Sequence, residues 1–240
     1  MFAEKLSEPP DESKSVISTQ NMELDSKLGG GLPVGCLTLI EGPSGAGKSV
    51  LAQQIAWGAL QDGFTVSLFT SENTVKSLVK QMQSIDLDIL DFLLLGKVRI
   101  YPIELADQAE NAPKVLLQAI QDQTGRSVVV VDSLTSALAH HKIGRSIVSF
   151  FEECKRITAE DVTILVTLHS QVIEEDLIGT IRSLCDAHLR LHTEQDGQRM
   201  MKTLEVAKIR GARTSTGAVV GFDVEPGWGI RVIPISKARG

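Results

Sequence analysis

The sequence lacks long apolar runs, is poor in cysteine and has no excess of positive charge. No apolar stretch approaches the length of a membrane-spanning helix, and residues 1–5 do not begin a signal-peptide core. The three cysteines, Cys36, Cys154 and Cys185, lack the spacing of metal ligands. From these absences we expect a cytoplasmic protein whose cysteines are buried, reduced thiols.

The charge balance limits the partners that the chain can bind. The 30 Asp and Glu residues outnumber the 24 Lys and Arg residues, which gives a formal net charge of −6. This balance disfavours broad, non-specific attachment to nucleic acid or to anionic lipid, although it permits a local basic patch.

The chain also lacks interdomain linkers, internal repeats and low-complexity tracts. Residues 1–15 are polar and contain prolines, so we expect a flexible N-terminal tail there. The apolar fraction of 42% and the charged fraction of 22% are typical of a globular protein. We therefore predict one domain over residues 16–240, a length that can bury a sizeable core.

The most specific motif that is present is a complete phosphate-binding loop. An apolar strand at residues 37–40 precedes it and a helical segment from Val50 follows it, which is the context that the motif requires. Lys48 can reach the β- and γ-phosphates, and the Ser49 hydroxyl can ligate Mg²⁺. A glycine-rich turn that matches by chance is the alternative. The motif predicts binding of ATP with Mg²⁺ by Gly42, Pro43, Ser44, Gly45, Ala46, Gly47, Lys48 and Ser49.

Strand-like and helical segments alternate along the first two thirds of the chain. Residues 128–131 are apolar on both faces, as a central parallel strand requires. The alternation predicts an α/β fold with a mainly parallel twisted sheet flanked by helices. Predicted strands span residues 37–40, 65–70, 98–101, 127–131 and 162–167, and predicted helices span residues 74–84, 85–95, 112–123 and 144–160.

The final third of the chain has a different pattern. Residues 187–193 and 200–209 flank a turn signal at residues 194–197, and residues 219–224 and 229–235 flank residues 225–228. Each pair predicts a β-hairpin. Such C-terminal antiparallel hairpins at the edge of a parallel core form a common mixed sheet.

Two carboxylates stand at the ends of predicted strands. Asp132 ends the most apolar strand and is placed to hold Mg²⁺ together with Ser49, although it could only cap the next turn. Glu72 ends the strand that follows the phosphate-loop helix, where it is a candidate catalytic base for the water that attacks the γ-phosphate. The alternative for Glu72 is an acid near the start of the helix at Thr74.

Other polar residues at strand ends have two interpretations each. Thr167, His169 and Ser170 could sense the γ-phosphate or could only satisfy loop backbone. Lys208 and Arg210 alternate on one strand face, where they could clamp the γ-phosphate of a neighbouring subunit. Their alternative role is a solvated strand edge that positive charge protects.

The chain resembles the ATPase core of the RecA and circadian-clock KaiC superfamily, which implies a RecA-like P-loop fold. Glu72 matches the catalytic-carboxylate position of that superfamily, and Asp132 lies in its second nucleotide motif. Lys208 and Arg210 match the pair that reaches the nucleotide of the adjacent protomer, so the resemblance favours a functional role for them. The entry to the core is carried by Ile17-Ser18-Thr19, Glu23-Leu24-Asp25, Leu28-Gly29-Gly30-Gly31-Leu32-Pro33 and Gly35.

Within the superfamily the chain is most similar to the FlaH family of ATP-binding proteins of the archaeal flagellum (archaellum). The resemblance runs from Val16 onward and covers a single core, unlike the duplicated clock proteins. It implies a homo-hexameric ring at the cytoplasmic base of the motor, in contact with the motor ATPase FlaI, the membrane platform protein FlaJ and a ring-scaffold protein. It also implies that ATP is bound well and turned over weakly. The segments that carry it are Thr70-Ser71-Glu72-Asn73-Thr74, Lys208-Ile209-Arg210-Gly211-Ala212, Phe222-Asp223-Val224-Glu225-Pro226-Gly227 and Arg231-Val232-Ile233-Pro234-Ile235-Ser236-Lys237-Ala238.

Three other hypotheses stay open at this point. The protein could be an active ATP-hydrolysing motor that uses Glu72. It could be a recombinase-like DNA-binding ATPase, but residues 171–180, which would face DNA, contain three acidic side chains, so we expect no nucleic-acid partner. It could also be an autokinase, for which the nearest hydroxyl groups belong to Thr214, Ser215 and Thr216.

Overall fold

A nine-stranded sheet organises the computed structural model, which describes residues 13–103, 112–122, 127–135, 144–196, 199–211 and 217–233. The strands are β1 (Val16–Ile17), β2 (Leu32–Pro33), β3 (Leu37–Gly42), β4 (Thr65–Thr70), β5 (Val98–Pro102), β6 (Ser127–Asp132), β7 (Thr163–His169), β8 (Ala187–Asp196), β9 (Arg199–Ile209), β10 (Ala218–Glu225) and β11 (Gly229–Ile233). The helices are α1 (Met22–Leu28), α2 (Lys48–Gln61), α3 (Val75–Ser84), α4 (Leu90–Leu94), α5 (Ala112–Gln121), α6 (Gly144–Ile157) and α7 (Glu175–Leu184).

The strand order confirms the predicted mixed sheet. It runs β11-β10-β9-β8-β3-β7-β6-β4-β5, while β1 and β2 form a separate two-stranded sheet. Pairing is parallel from β8 through β3, β7, β6 and β4 to β5. The pairs β8–β9, β9–β10 and β10–β11 are antiparallel. The two predicted hairpins therefore extend one edge of the parallel core.

Two helical layers cover the two faces of the sheet. Successive valines of β6 point to opposite faces, and all four are 0–1% exposed. Val128 and Val130 pack in the cluster that includes α2, whereas Val129 and Val131 pack with apolar residues of α5, α6 and α7. This double coverage is why the sequence of β6 is apolar without alternation.

Several predicted boundaries were wrong in detail. Residues 85–95 were expected to be helical, but only Leu90–Leu94 form a helix. Asp86 has φ 62°, a left-handed conformation that ends the preceding helix. The predicted helix over residues 144–160 stops at Ile157 and is followed by a 3₁₀ turn at Thr158–Glu160.

The N-terminal segment is attached to the core from Lys14 onward. Lys14 Nζ lies 2.6 Å from an Asp62 carboxylate oxygen, and the Ser15 carbonyl accepts a hydrogen bond from the Val34 N–H. Most of the predicted tail, residues 1–12, lies outside the described residues. Its last two positions are in contact with the core.

Candidate functional site

The phosphate loop connects the end of β3 to the start of α2. A Cβ atom at Gly42 would lie 2.5 Å from the carbonyl oxygen of Leu191, so this position has no room for a side chain. Gly47 caps α2 with φ 97° and has no side chain to bond the first N–H groups of the helix. Those N–H groups and the helix dipole are therefore free to bind an anion.

Lys48 is the cation of this loop. Its Nζ donates a 2.8 Å hydrogen bond to the Pro43 carbonyl, so the side chain folds back over the loop. Burial lowers the pKa of Lys48, and the nearby carboxylates of Asp132 and Glu72 act in the opposite direction. The charges of Lys48, Asp132 and Glu72 therefore interact with one another.

Asp132 is held at the mouth of the loop by two hydroxyl groups. Its Oδ1 accepts hydrogen bonds from Ser49 Oγ at 3.1 Å and from Thr167 Oγ1 at 2.7 Å. Burial raises the pKa of Asp132, and the hydrogen bonds from Thr167 and Ser49 oppose that rise. The structure thus brings together the two predicted Mg²⁺ ligands and adds Thr167, whose hydroxyl bonds Asp132 instead of loop backbone.

Glu72 is exposed at the edge of the same site. Its Oε1 accepts a 3.4 Å hydrogen bond from Ser133 Oγ, and Ser71 Oγ in turn donates to the Ser133 carbonyl at 3.1 Å. The cap of α3 is Thr74, whose side chain accepts from the Ser77 N–H in a capping box. Glu72 therefore lies outside the first turn of α3 and is directed towards Ser133.

His169 lies in the electric field of this group. Burial lowers the pKa of its imidazole, the charge of Lys48 adds to the effect, and Glu72 opposes it. The His169 N–H donates a 3.1 Å hydrogen bond to Thr135 Oγ1, which fixes the end of β7. Ser170 begins a 3₁₀ turn at Ser170–Val172. Of the three polar residues at this strand end, Thr167 and His169 belong to the site.

Lys208 and Arg210 do not lie beside the phosphate loop of their own chain. In the sheet register Lys208 is opposite His188, which is level with Leu39 on β3. Gly42 is three residues further along β3, or about 10 Å at the usual strand rise. Among the described residues the β9–β10 pairing ends at Val206, two residues before Lys208, so the predicted strand-edge alternative stays open. Both side chains contact the C-terminal end of α7.

The sequence interpretation missed a buried ion cluster next to the loop. Glu41, the residue before Gly42, is 0% exposed. Arg182 of α7 donates to both Glu41 oxygens, with its shortest contact at 2.9 Å, and Arg190 donates at 2.9 Å. Burial favours a higher pKa for Glu41, but the His188, Arg182 and Arg190 side chains outweigh burial and lower the pKa to about 2. The sequence signal that could have identified this cluster was the charged residue Glu41 at the end of the apolar strand β3.

Lys202 and Phe222 were also missed. A Cβ atom at Gly47 would lie 3.2 Å from the Phe222 ring and 3.8 Å from Lys202 Cδ, so both side chains pack against the loop. Lys202 is opposite Phe222 in the β9–β10 pairing. Phe222 lies in a segment that carries the family resemblance, but no nucleotide-binding pattern marks either residue, because their position beside the loop depends on β8 pairing with β3.

The donor set fits Mg²⁺ with a nucleotide. Serine hydroxyl and aspartate carboxylate oxygens suit Mg²⁺, which takes few protein ligands and relies on phosphates and water for the others. Within the described ranges, no group of three or more His, Cys, Asp and Glu residues could hold a metal by itself. None of the described helices has both the length and the hydrophobicity that a membrane crossing requires.

Comparisons with known proteins agree with this geometry. The family model of the KaiC ATPase matches residues 17–237. The archaeal flagellar ATP-binding protein FlaH of Sulfolobus acidocaldarius is 32% identical over 230 residues, covering 93% of this chain and 99% of that protein. The crystal structure of the flagellar accessory protein FlaH from Methanocaldococcus jannaschii superposes with a TM-score of 0.80 at 28% identity, covering 92% of this chain and 99% of that one. The circadian clock protein KaiC of Synechococcus elongatus is 26% identical over 228 residues, which span 88% of this chain and 42% of that protein.

Proposed function

The chain belongs to the KaiC family of ATPases and groups there with the archaeal flagellar ATP-binding proteins FlaH, and from this premise we propose that it is an ATP-dependent assembly component of an archaellum motor. ATP bound between protomers would stabilise a homo-hexameric ring. The ring would engage the motor ATPase FlaI, the membrane platform protein FlaJ and a ring-scaffold protein. It would lie in the cytoplasm at the membrane-embedded base of the motor.

The observation that carries the proposal is the preassembled contact between Ser49 and Asp132. The two residues are 83 positions apart in sequence, and their side chains are joined by a 3.1 Å hydrogen bond beside Lys48. In the proposed site the loop N–H groups and Lys48 bind the phosphates, while Ser49 and Asp132 hold Mg²⁺. The bound Mg²⁺ neutralises phosphate charge, and Lys48 and the start of α2 bring the remaining positive charge.

The position of Lys208 and Arg210 supports a role between protomers. Neither side chain is near the phosphate loop of its own chain, so a nucleotide contact by this pair requires a second copy. A ligand that binds only the assembled form shifts the assembly equilibrium towards the ring by mass action.

The test is the solution mass with and without Mg-ATP, measured by light scattering. We expect a ring that forms only with Mg-ATP and is absent in Lys48→Ala, because that variant removes the phosphate-binding charge. Glu72→Gln is the matched variant: it removes the candidate base and retains the loop, so it should still assemble. Assembly of Lys48→Ala in the absence of nucleotide would contradict the proposal.

A second candidate is an ATP-hydrolysing enzyme, which the direction of the Glu72 side chain favours. Its contact with Ser133 places a carboxylate at the edge of the Lys48–Asp132 group, where a base could polarise water. This function predicts Mg²⁺-dependent phosphate release that Glu72→Gln reduces by about a hundredfold or more. Turnover that is unchanged in Glu72→Gln would exclude Glu72 as the base.

The remaining hypotheses gain no support from the described residues. Glu174, Glu175 and Asp176 are exposed in the segment that would face DNA, and they disfavour a phosphate backbone. The candidate phosphorylation residues Thr214, Ser215 and Thr216 lie outside the described residues. A recombinase-like protein would also be expected to face DNA with residues 135–145, and most of these lie outside the described residues too.

A further inference from the structure

The C-terminal end of α7 holds Lys208 in its own protomer. Lys208 Nζ donates to the carbonyl oxygens of Arg182 at 3.2 Å, Ser183 at 3.3 Å and Cys185 at 2.5 Å. An ammonium group has three N–H donors, so these three carbonyls occupy all of them. A cation at this end of a helix is also stabilised by the helix dipole.

Arg210 is attached to the same helix end. Its guanidinium donates to the Ser183 carbonyl at 3.4 Å and lies 3.5 Å from the Asp186 carboxylate. The Asp186 carboxylate in turn accepts from the Leu37 N–H at 3.0 Å, at the start of β3. The Arg210 side chain is 57% exposed, so its contacts are easily exchanged for others.

The same helix end is tied to the phosphate loop. Arg182 uses its side chain to bind buried Glu41, directly before Gly42, and uses its main-chain carbonyl to accept from Lys208. Arg182 therefore connects the phosphate loop with Lys208 of the same protomer. In the proposed function, Lys208 contacts the nucleotide of the adjacent protomer.

We propose that the C-terminal end of α7 is a seat that retains Lys208 and Arg210 within their own protomer, and that Arg182 is the positioning residue that fixes this seat beside the phosphate loop. The nucleotide of an adjacent protomer competes with the seat for both cations. Ring assembly therefore includes release of Lys208 from the three carbonyls. The inference rests on the proposed function, because it takes the pair to act between protomers.

The first experiment measures how accessible the Lys208 amine is when no nucleotide is present. Lys208 is labelled with a trace amine-reactive reagent in the full chain, and its labelling rate is compared with that of Lys202 on the same strand by mass spectrometry. Arg182→Gln should raise the relative rate about threefold or more, because the helix end is no longer held to Glu41. The matched control is Glu175→Gln, which removes only the 82% exposed partner of Arg182 and should leave the rate unchanged.

The second experiment measures competition during assembly. Arg182→Gln should lower the Mg-ATP concentration at half-maximal ring formation by about threefold to tenfold, since release of Lys208 no longer opposes assembly. Glu175→Gln should stay within about twofold of the unmodified chain. ATP affinity of the monomer is compared in Lys208→Met with and without Arg182→Gln. Equal affinities are expected if Arg182 acts through Lys208.

The outcomes separate this inference from the proposed function. If Lys208→Met does not alter assembly, the pair has no role between protomers and both proposals are wrong on this point. If Lys208→Met prevents assembly but Arg182→Gln changes neither the labelling rate nor the ATP midpoint, only the seat is excluded. A change of monomer ATP affinity caused by Arg182→Gln in the Lys208→Met background would mean that Arg182 acts through its own phosphate loop.

Discussion

The two ends of β3 hold their charged groups in different ways. At the phosphate-loop end, Glu41 and Asp132 are 0% and 7% exposed, and each has at least two partners. At the opposite end, near Leu37, the Asp186 carboxylate is similarly buried, at 8% exposed, but the side chains of its partners Arg210 and Lys155 are 57% and 38% exposed. Buried, multiply bonded groups fix a geometry, whereas exposed pairs contribute little stability and can exchange partners. The cations at the opposite end are therefore more exposed than Arg182 and Arg190, the Glu41 partners, which are 23% and 32% exposed, and we call the two regions the rigid end and the adjustable end.

The largest expected effect is at the buried end. Glu41→Gln should lower the free energy of unfolding by about 3–5 kcal/mol, because it leaves Arg182 and Arg190 without their shared carboxylate. The measurement is urea unfolding at neutral pH. Glu205→Gln is the control: its carboxylate also contacts Arg190, at 3.3 Å, but is 30% exposed, and we expect a loss below about 1 kcal/mol. Equal losses in the two variants would remove the contrast between buried and exposed pairs.

The contacts of Glu41 can also be tested by measuring the unfolding free energy as a function of pH, with the same Glu41→Gln variant. The pKa of Glu41 is lowered to about 2, so its stabilising contribution is complete above the pKa of the unfolded chain, near 4.5. The contribution is lost as the pH falls through the folded value. The difference in unfolding free energy between the unmodified chain and Glu41→Gln should therefore be constant above about pH 5 and shrink below it. A difference that grows as the pH falls would contradict this assignment.

The sequence predicted those site residues that belong to a local sequence pattern. The glycines, Lys48 and Ser49 form a contiguous motif, and Asp132 follows an apolar strand, so both the site and the parallel core were predicted. Whether Thr167 bonds Asp132 or the loop backbone depends on how β7 pairs with β6, and local spacing does not carry that information. The same limit explains why Arg182 and Lys202 were missed, whereas Glu41 carried a local signal, a charge at the end of an apolar strand, that was not used.

At the rigid end, substitution of Thr167 should have an intermediate effect, which is measured as a loss of Mg-ATP affinity. Thr167→Val keeps the shape of the side chain and removes the 2.7 Å hydrogen bond to Asp132, so Mg-ATP affinity should fall about threefold to tenfold. The measurement is calorimetric titration with Mg-ATP. Thr38→Val is the matched variant, since Thr38 is equally buried and its hydroxyl contacts the Cys36 sulfur, away from Asp132. Similar losses in both variants would show that general packing, not the Asp132 contact, sets the affinity.

The smallest effect on stability is expected at the adjustable end. Arg210→Gln removes exposed contacts at 3.4 Å and 3.5 Å, so the unfolding free energy should change by less than about 0.5 kcal/mol. Ring formation with Mg-ATP should nevertheless be lost or strongly weakened, because the neighbour's phosphates lose a bidentate cation. Urea unfolding and light scattering on the same sample separate the two effects. A loss of stability comparable to that of Glu41→Gln would mean that Arg210 is a structural part of its own protomer, since a residue that must leave its contacts to reach a neighbour cannot also be required to hold the fold together.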